Sequence, residues 1–457
     1  MSVVKSLARI PNWDRPAVRH VLSRTLFGYN REDIDFALNL SMDEFIDNYL
    51  LADASPPDSP GDWVLQPPKN TTGQENRANL KELTYWWYEL MRAQGFSLRE
   101  KMTLFWHNHF TSDFSTVKFP QLLYMQNALF RANAFGNLID LTKAVTIDSA
   151  MLIYLDGQTS TARKPNENYA RELMELFTMG IGNYTETDIA EAARALTGWQ
   201  IKGRFPIFEA SRFDSGEKTF LGEVGAFNHE DIVDIIFRQD ATAEWFCKKL
   251  YIGFVYHEPD AGFISELAQL LRESQYELKP VLSALLKSEY FHAEEIRGAK
   301  IKSPTDLLIS PLRQLSQADP VYLKIRNLSI PLQQELFQPP DVRGWVGQRN
   351  WMSTTTYPRR NQFTDVLIDN KVYTKEKIDI VAIAKAYSGS ENPSQFISEV
   401  VEVMINFQLS ESRINFLLQA LLDGSAEYDW STDDPQAESR LRGFFKTLMR
   451  LPEYQLS

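Results

Sequence analysis

Apolar residues recur at the three- and four-residue spacing of an amphipathic helix through most of the chain. The segment 15–27 follows Asp14, carries Pro16 in its first turn and is followed by Gly28, so both ends of a helix are marked. Similar spacing covers 74–94, 98–110, 119–133, 166–179, 230–251, 260–273, 278–289, 304–317 and most of 362–450. The pattern therefore predicts a mostly α, multi-helical protein with several packed helical layers.

Three segments interrupt the helical pattern. Residues 54–70 are rich in Pro, Ser and Asp, which predicts a surface loop. Residues 200–221 are aromatic and alternate weakly between apolar and polar positions, which favours a small β-hairpin insertion. Residues 338–361 combine Pro, Gly, Trp and Arg over a length that is uncommon for a loop and often functional.

These interruptions divide the 457 residues into units. Since domains usually have roughly 100–200 residues, a chain of this length is expected to contain more than one such unit. We predict an N-terminal helical unit over 1–53, followed by the Pro-rich surface loop over 54–70. A central helical domain over 71–337 is expected to carry the functional site. The Arg/Trp loop over 338–361 then leads into a C-terminal helical unit over 362–457.

Charge and cysteine content exclude several classes of protein. The 48 Lys+Arg against 60 Asp+Glu give a net charge of −12, which argues against nucleic-acid binding. The single cysteine, Cys247, excludes a disulfide framework and Cys-based metal clusters. No apolar stretch reaches the ~20 residues of a membrane span, and the first residues lack the apolar region of a signal peptide. We therefore expect a cytoplasmic protein, with an exported mature chain as the alternative.

Two histidines stand together near the end of the predicted helix 98–110, as His107 and His109. Residues two apart point in nearly opposite directions on a helix, so they can share one metal ion only if the helix ends there. As ligands or general bases, they would form half of a catalytic site. The alternative is a helix C-terminus at which histidine favours the dipole and caps carbonyl groups.

The predicted helix 166–179 carries an unusual number of polar residues beside apolar ones. Asn166 is placed to cap its start, and Glu172 and Glu175 lie on one face. Arg171 has helical spacing from Glu175, which allows an ion pair. If this face is enclosed, the carboxylates need a partner such as histidine or a metal ion. The alternative is a solvent-exposed face with salt bridges.

The loop 338–361 contains arginine and tryptophan in close succession, including Arg343, Trp345, Trp351 and Arg359. Arginine binds anionic groups through two parallel hydrogen bonds, and tryptophan stacks on flat or sugar-like surfaces. We therefore interpret the loop as a candidate binding site for an anionic or saccharide substrate. The alternative is a structural loop whose arginines pair with carboxylates of this acidic protein.

Taken together, these residues suggest a metal-assisted or acid/base hydrolase that acts on a small polar, anionic or carbohydrate substrate. The proposed catalytic or divalent-metal-binding residues are His107, His109, Glu172 and Glu175. The proposed substrate-binding residues are Asn166, Arg171, Arg343, Trp345, Trp351 and Arg359. One alternative is a structural or partner-binding protein in which the His and Glu side chains form a buried polar network. Another is a haem protein with an axial histidine.

Several long motifs resemble the bacterial DUF1800 family, a family of unknown function. They include LREKMTLFWHNHFTS (98–112), PNENYARELMELFTMGIGNYTETDIAEAARALTGW (165–199), QPPDVRGWVGQRNW (338–351) and LMRLPEYQLS (448–457). Many members of that family look exported and are encoded beside sulfatase-like proteins. The resemblance therefore implies a possible sulfatase-like partner and an exported location, although this sequence shows no evident signal peptide.

Overall fold

The computed structural model describes residues 6–68, 73–315, 319–369 and 371–457. It confirms a mostly α protein of many short helices, with two small antiparallel sheets as the β structure in these ranges. The end of the predicted loop 54–70 and the start of the predicted central domain lie outside the described residues. The same holds for residues 1–5 of the predicted N-terminal unit.

The first half of the chain forms eleven α-helices in the described residues. They are α1 (Arg15–Thr25), α2 (Arg31–Leu38), α3 (Met42–Phe45), α4 (Gly73–Ala93), α5 (Arg99–His109), α6 (Phe114–Val117), α7 (Pro120–Ala132), α8 (Leu138–Thr146), α9 (Ser149–Tyr154), α10 (Glu167–Glu172) and α11 (Glu186–Ala195). Wider π-helical turns continue two of them, α3 through Ile46–Leu50 and α10 through Leu173–Thr178.

The second half adds eleven more α-helices within the described ranges. They are α12 (His229–Phe237), α13 (Asp240–Phe254), α14 (Ala261–Glu273), α15 (Leu278–Lys287), α16 (Pro304–Gln314), α17 (Tyr322–Ser329), α18 (Thr356–Asp369), α19 (Ile380–Lys385), α20 (Pro393–Met404), α21 (Glu411–Leu422) and α22 (Ala437–Arg450). None of the helices in the described residues is both long and apolar enough to cross a membrane. The cellular location stays a prediction.

Two β-hairpins follow α11, where one was predicted. Strand β1 (Trp199–Lys202) pairs with β2 (Phe205–Phe208), and β3 (Lys218–Phe220) pairs with β4 (Glu223–Gly225). Each turn has two residues between the strands, and Gly203 and Gly222 supply the positive φ angles of such tight turns. The aromatic segment of the sequence therefore predicted the kind of structure correctly, but the second hairpin extends beyond residue 221.

Local capping signals fix several helix starts. The Asp14 side chain accepts a hydrogen bond from the backbone N–H of Ala17, which satisfies a free donor in the first turn of α1. Thr185 and Asp188, which have capping-box spacing in the sequence, form a reciprocal capping box at the start of α11. Ser97 and Glu100 have the same spacing and also predict a box, but this prediction is wrong: the Ser97 hydroxyl accepts from the Arg99 N–H at 3.2 Å, and the Glu100 carboxylate binds Arg131.

The end of the predicted loop 338–361 is helical. Helix α18 begins at Thr356, whose side chain accepts a hydrogen bond from the Ser353 N–H at 2.8 Å. The Ser353 hydroxyl in turn accepts from the Thr356 N–H at 3.1 Å. These reciprocal bonds start a helix where composition alone suggested a loop. Arg359 consequently lies on α18, where its side chain is exposed.

The buried apolar side chains form two large clusters. One contains residues of α1 to α3, α8 and α11 to α15, and the other contains residues of α4 and α16 to α22. Helix α5 contributes to both, with Met102 and Trp106 in the first cluster and Leu104 in the second. Helix α5 therefore lies where the two cores meet. The division of the chain into domains stays a prediction.

Candidate functional site

His107 lies in an aromatic environment at the end of α5. Its ring packs against Trp87, Phe337 and Trp345, with ring centroids 5.4, 5.3 and 5.6 Å away. Its Nε2 atom accepts a hydrogen bond from the backbone N–H of Phe337 at 3.3 Å. Burial lowers the pKa of His107 to about 3, so the ring is neutral and able to accept this bond.

His109 has a separate set of neighbours. Its Nε2 atom lies 2.9 Å from the carbonyl oxygen of Phe177, to which a neutral ring donates. Phe110 and Phe246 contact the ring with centroids 4.6 and 5.3 Å away. Burial lowers the pKa of His109 to about 3 as well, with a smaller contribution from Lys249. The Nε2 atoms of His107 and His109 therefore both bind backbone groups, in different parts of the core.

The two predicted carboxylates lie at the edge of the protein interior. Glu175 accepts a hydrogen bond from the Tyr184 hydroxyl at 2.8 Å. Glu172 is half-buried, and its pKa is raised by burial and by the nearby charges of Glu175 and Asp341. Among the residues that the structure describes, no three His, Cys, Asp or Glu side chains are grouped to hold a metal ion. The structure therefore does not supply the cluster that a shared metal site needs.

The polar residues predicted to assist them have local partners. Asn166 caps α10 by accepting from the Tyr169 N–H, and it donates to the Leu155 carbonyl at 2.7 Å. Arg171 forms two hydrogen bonds with Glu186 on α11, at 2.9 and 2.7 Å, rather than pairing with Glu175. Both contacts connect α10 to its neighbours, which is a structural role.

The predicted loop residues divide into two groups. Arg343 is exposed and pairs with Asp341 at 2.7 Å, and Arg359 is exposed on α18. Trp345 and Trp351, in contrast, line a cavity of about 170 Å³. The loop therefore contributes its tryptophans to a cavity, whereas these two arginines do not line it.

This cavity lies between five main parts of the chain. Its walls are the end of α1, α5, the C-terminal end of α13, the segment 300–306 and the loop 345–351. Leu104 on one wall belongs to one apolar cluster and Phe254 on another wall belongs to the other cluster. Cavities at such boundaries are frequent ligand sites, because two separately packed cores rarely fill the space between them. We call it the cationic cavity, for the side chains that line it.

Three basic side chains and one acidic side chain reach the cationic cavity: Arg24, Lys101, Lys300 and Asp306. Lys101 forms a short ion pair with Asp306 and lies 4.4 Å from the centre of the Phe27 ring. Burial alone would raise the pKa of Asp306, but Lys101 and Ser303 stabilise its charged form, so its pKa is lowered. One of the three cations is therefore neutralised.

Lys300 binds backbone groups instead of a carboxylate. Its Nζ atom donates to the carbonyl oxygens of Ile252 and Gly253 at 2.6 and 2.5 Å. These carbonyls belong to the last turn of α13, where they have no partner within the helix. Burial and the nearby charge of Arg24 hold the pKa of Lys300 well below its usual range.

Arg24 closes the same helix end. Its guanidinium donates to the carbonyl oxygens of Phe254, Val255 and Ile296, at 3.3, 3.0 and 2.5 Å. Its buried Nε atom has no hydrogen-bond partner. Burial lowers the pKa of Arg24 to about 9. Within the described ranges, neither Arg24 nor Lys300 has a carboxylate within ion-pair distance, so the cationic cavity can accept an anion.

The loop is anchored on α5 by Asn108. The Asn108 side chain accepts from the Trp345 N–H at 2.6 Å and donates to the Trp345 carbonyl at 3.3 Å. Gly344 has a φ of +77°, and a Cβ atom there would lie 2.3 Å from the Asn108 carbonyl oxygen. Only glycine allows this approach, so the Asn–Gly contact positions the tryptophans over the cavity.

The basic residues of the cavity were missed at the sequence level. Arg24, Lys101 and Lys300 lie far apart in the chain, and each occurs in a segment with ordinary helical or loop spacing. The motif that contains Lys101 marks α5 as a candidate element of the site. The two histidines about two turns later are its more obvious functional candidates. The sequence did contain one signal for Lys101. Its neighbours Met102 and Leu104 are apolar, so Lys101 is a charged residue on a helix that is expected to be buried.

Comparison with known proteins gives one match. A family model described as "Protein of unknown function (DUF1800)" matches residues 20–456. No curated protein and no solved structure matches the chain. Arg24, Lys101, Lys300 and Asp306 of the cationic cavity lie inside the matched range. Since the match covers nearly the whole sequence, the chain belongs to the DUF1800 family.

Proposed function

We propose that the protein binds a small anionic molecule in the cationic cavity. The observation that carries this proposal is that Arg24, Lys101 and Lys300 line one cavity, in which Asp306 is the one acidic side chain among the described lining residues. Unpaired cations are costly to bury, and an anion would supply the missing counter-charge. Burial lowers the pKa values of Arg24 and Lys300, because the charged form of each side chain is unfavourable inside the protein.

The size of the cavity supports a small ligand, or the charged end of a larger one. Its volume of about 170 Å³ is close to the ~150 Å³ of an engineered protein cavity that holds benzene. A carboxylate, phosphate or sulfate group with a few attached atoms matches this volume and charge. Since the Arg24 and Lys101 side chains are largely buried, an ionic contact with them is stronger than it would be at the surface.

An adjoining cavity favours a ligand with a hydroxylated body. This second cavity, of about 400 Å³, shares Trp345 and Trp351 with the first. Its walls also carry the amide side chains of Gln333, Gln338 and Asn350. Amides that donate and accept hydrogen bonds beside an aromatic surface suit a sugar ring. We therefore infer that a sugar acid is a better ligand than a simple anion.

We infer a structural role for the two histidines that the sequence singled out. The Nε2 atoms of both rings bind the main chain, and the ring of His107 packs against Trp345 above the cavity. This arrangement agrees better with the alternative of a buried polar network than with hydrolysis at His107 and His109. Hydrolase activity, haem binding and a sulfatase-like partner stay predictions.

Calorimetric titration tests the binding proposal. We expect wild-type protein to bind glucuronate more tightly than acetate, phosphate or sulfate, and not to bind glucose. Loss of a charge-assisted hydrogen bond costs about 1.5–3 kcal/mol, so Arg24→Met should weaken glucuronate binding by about tenfold or more. The control Lys81→Met removes an exposed lysine on α4 and should leave the affinity unchanged.

Two results would contradict the proposal. One is wild-type protein that binds none of these anions. The other is an affinity that is the same in Arg24→Met, Lys101→Met and wild type, with each variant shown to be folded by circular dichroism. Binding should also weaken as salt is added if charge drives it.

A further inference from the structure

Lys300 differs from other lysines in the way its nitrogen is held. A neutral amine has two N–H groups and one lone pair, whereas an ammonium group has three N–H groups and no lone pair. The structure offers Lys300 two main-chain acceptors, the carbonyls of Ile252 and Gly253. In the described residues no carboxylate lies within ion-pair distance of its nitrogen. The two acceptors match the neutral amine and leave the lone pair free.

The charges around Lys300 favour the same neutral form. Arg24 and Lys101 are cations in the wall of the same cavity, and both disfavour a further positive charge there. The negative charge of Asp306 favours a protonated Lys300, but Asp306 already forms an ion pair with Lys101. A lysine that is desolvated next to other cations is the usual way in which proteins produce a nucleophilic amine at neutral pH.

Lys302 shows that burial alone does not create such a site. It is buried two residues away, and burial lowers its pKa to about 7. Its nitrogen, however, lies 4.0 Å from the centre of the Tyr454 ring, and the cavity that it lines measures about 20 Å³. No ligand can enter a space of that size. Lys300 combines its backbone contacts with a cavity large enough for a ligand.

We propose that Lys300 forms an imine with ligands that carry a ketone or aldehyde next to their acidic group, as in the class of 2-oxo acids. The inference rests on the proposed function, since the anionic group must first be held by the other cations of the cavity. In a 2-oxo acid the carbonyl carbon is bonded directly to the carboxylate group. When the other cations of the cavity hold the carboxylate, the carbonyl carbon therefore lies towards the Lys300 amine. Pyruvate has six heavy atoms, as benzene has, so it suits a cavity of about 170 Å³.

The reaction balances without an oxidant or another reactant. The lone pair of the Lys300 nitrogen attacks the carbonyl carbon, a C–N bond forms, and the C=O π electrons move to the oxygen. The nitrogen then loses both of its protons, the oxygen takes up both, and the oxygen leaves as water while the C=N bond forms. The Lys101–Asp306 pair lines the same cavity and can carry a proton between the two atoms.

Reductive trapping tests the proposal on the full chain. Protein is incubated with pyruvate or 2-oxoglutarate, reduced with sodium borohydride, and examined by intact-mass and peptide mass spectrometry. We expect one reduced adduct per chain, located at Lys300, and no adduct with lactate, which lacks the carbonyl. Lys300→Arg should lower the yield by about tenfold or more, because arginine keeps the charge but forms no imine. The control Lys302→Arg should retain the adduct.

Peptide mapping of the wild-type adduct identifies the modified lysine even if a variant fails to fold. A label spread over surface lysines, or an undiminished yield in folded Lys300→Arg, would overturn the inference. So would the absence of an adduct when calorimetry shows that pyruvate binds, and in that case the proposed anion binding survives. Absence of both the adduct and any anion binding would overturn the inference and the proposed function together.

Discussion

Lowering the pH from 7 towards 4 is expected to destabilise the protein steeply, because it buries four histidines in their neutral form. Burial lowers the pKa of His107 and His109 to about 3 and that of His292 to about 4. The pKa of His20 is also well below its usual range, owing to burial and to the charge of Arg24. All four side chains lie almost fully inside the protein.

The direction of this effect follows from proton binding. In the unfolded chain each imidazole takes up a proton near pH 6.5, whereas in the folded protein it does so only at a much lower pH, near 3 for His107 and His109 and near 4 for His292. The stability is therefore complete above pH 6.5 and is lost as the pH falls below it. Each histidine contributes about 1.4 kcal/mol per pH unit, so four contribute about 5.6 kcal/mol per unit. Carboxyl groups with a raised pKa have the opposite effect, among them Asp148, whose pKa burial raises to about 6.

Urea denaturation at pH 7.5, 6.5 and 5.5 measures this slope. His107→Gln and His109→Gln should each reduce the dependence of unfolding free energy on pH by about 1.4 kcal/mol per unit. His257→Gln, at a partly exposed position beside Glu258, is the control and should keep the wild-type slope. Identical slopes in wild type and in both core variants would contradict the burial of neutral imidazoles.

Replacing Arg131 by methionine is expected to cost about 3–5 kcal/mol of folding free energy. Arg131 on α7 forms two hydrogen bonds with Glu100 on α5, at 2.6 and 2.9 Å. Both residues are buried, with 5% and 6% of their surfaces exposed. The variant leaves the Glu100 carboxylate inside the protein with the Trp87 N–H as its remaining donor. A buried charge without its counter-charge is among the costliest defects that a single substitution can create.

A surface ion pair provides the matched comparison. Arg238 binds Glu223 with equally short contacts, but about half of each side chain is exposed. Arg238→Met should therefore cost no more than about 1 kcal/mol. Equal losses in Arg131→Met and Arg238→Met would show that the interior pair is solvated. Because Glu100 precedes Lys101, loss of the pair should also weaken anion binding in the cationic cavity.

The parts of the fold that depend on neighbouring residues could be predicted from the sequence. Asp14 and Thr185 stand within three residues of the N–H groups that they cap, so the sequence contains both partners. One hairpin was predicted over 200–221, because aromatic residues alternate weakly there and break the helical spacing, and the structure has two hairpins in this region. Such signals need no knowledge of tertiary contacts.

Predictions failed where a distant residue offered a stronger partner. Ser97 and Glu100 have the spacing of a capping box, yet Glu100 binds Arg131, which lies 31 residues away in the chain. Arg171 similarly pairs with Glu186 instead of a residue on its own helix. A charged hydrogen bond between packed helices is stronger than a local cap, and the local spacing gives no information about it.

For the candidate site, local spacing along the chain gave even less information about distant partners than it did for the fold. Of the two helices and one loop that were expected to share a cavity, α5 and the loop do so, through Lys101, Asn108 and Trp345. The remaining walls come from Arg24 and from the segment near Lys300, which only the fold brings together. Spacing can identify an unusual face on one helix, but it cannot identify which distant cations will meet there.

Crystallography with a heavy anion tests the central claim most directly. Selenate resembles sulfate in shape and charge, and selenium scatters anomalously, so its position can be read without prior assumptions. In crystals soaked with selenate, we predict an anomalous peak inside the cationic cavity, within hydrogen-bond distance of Arg24 or Lys101, and its loss in Arg24→Met. Peaks confined to the protein surface, with the cavity empty at saturating selenate, would contradict the assignment of this cavity as an anion site.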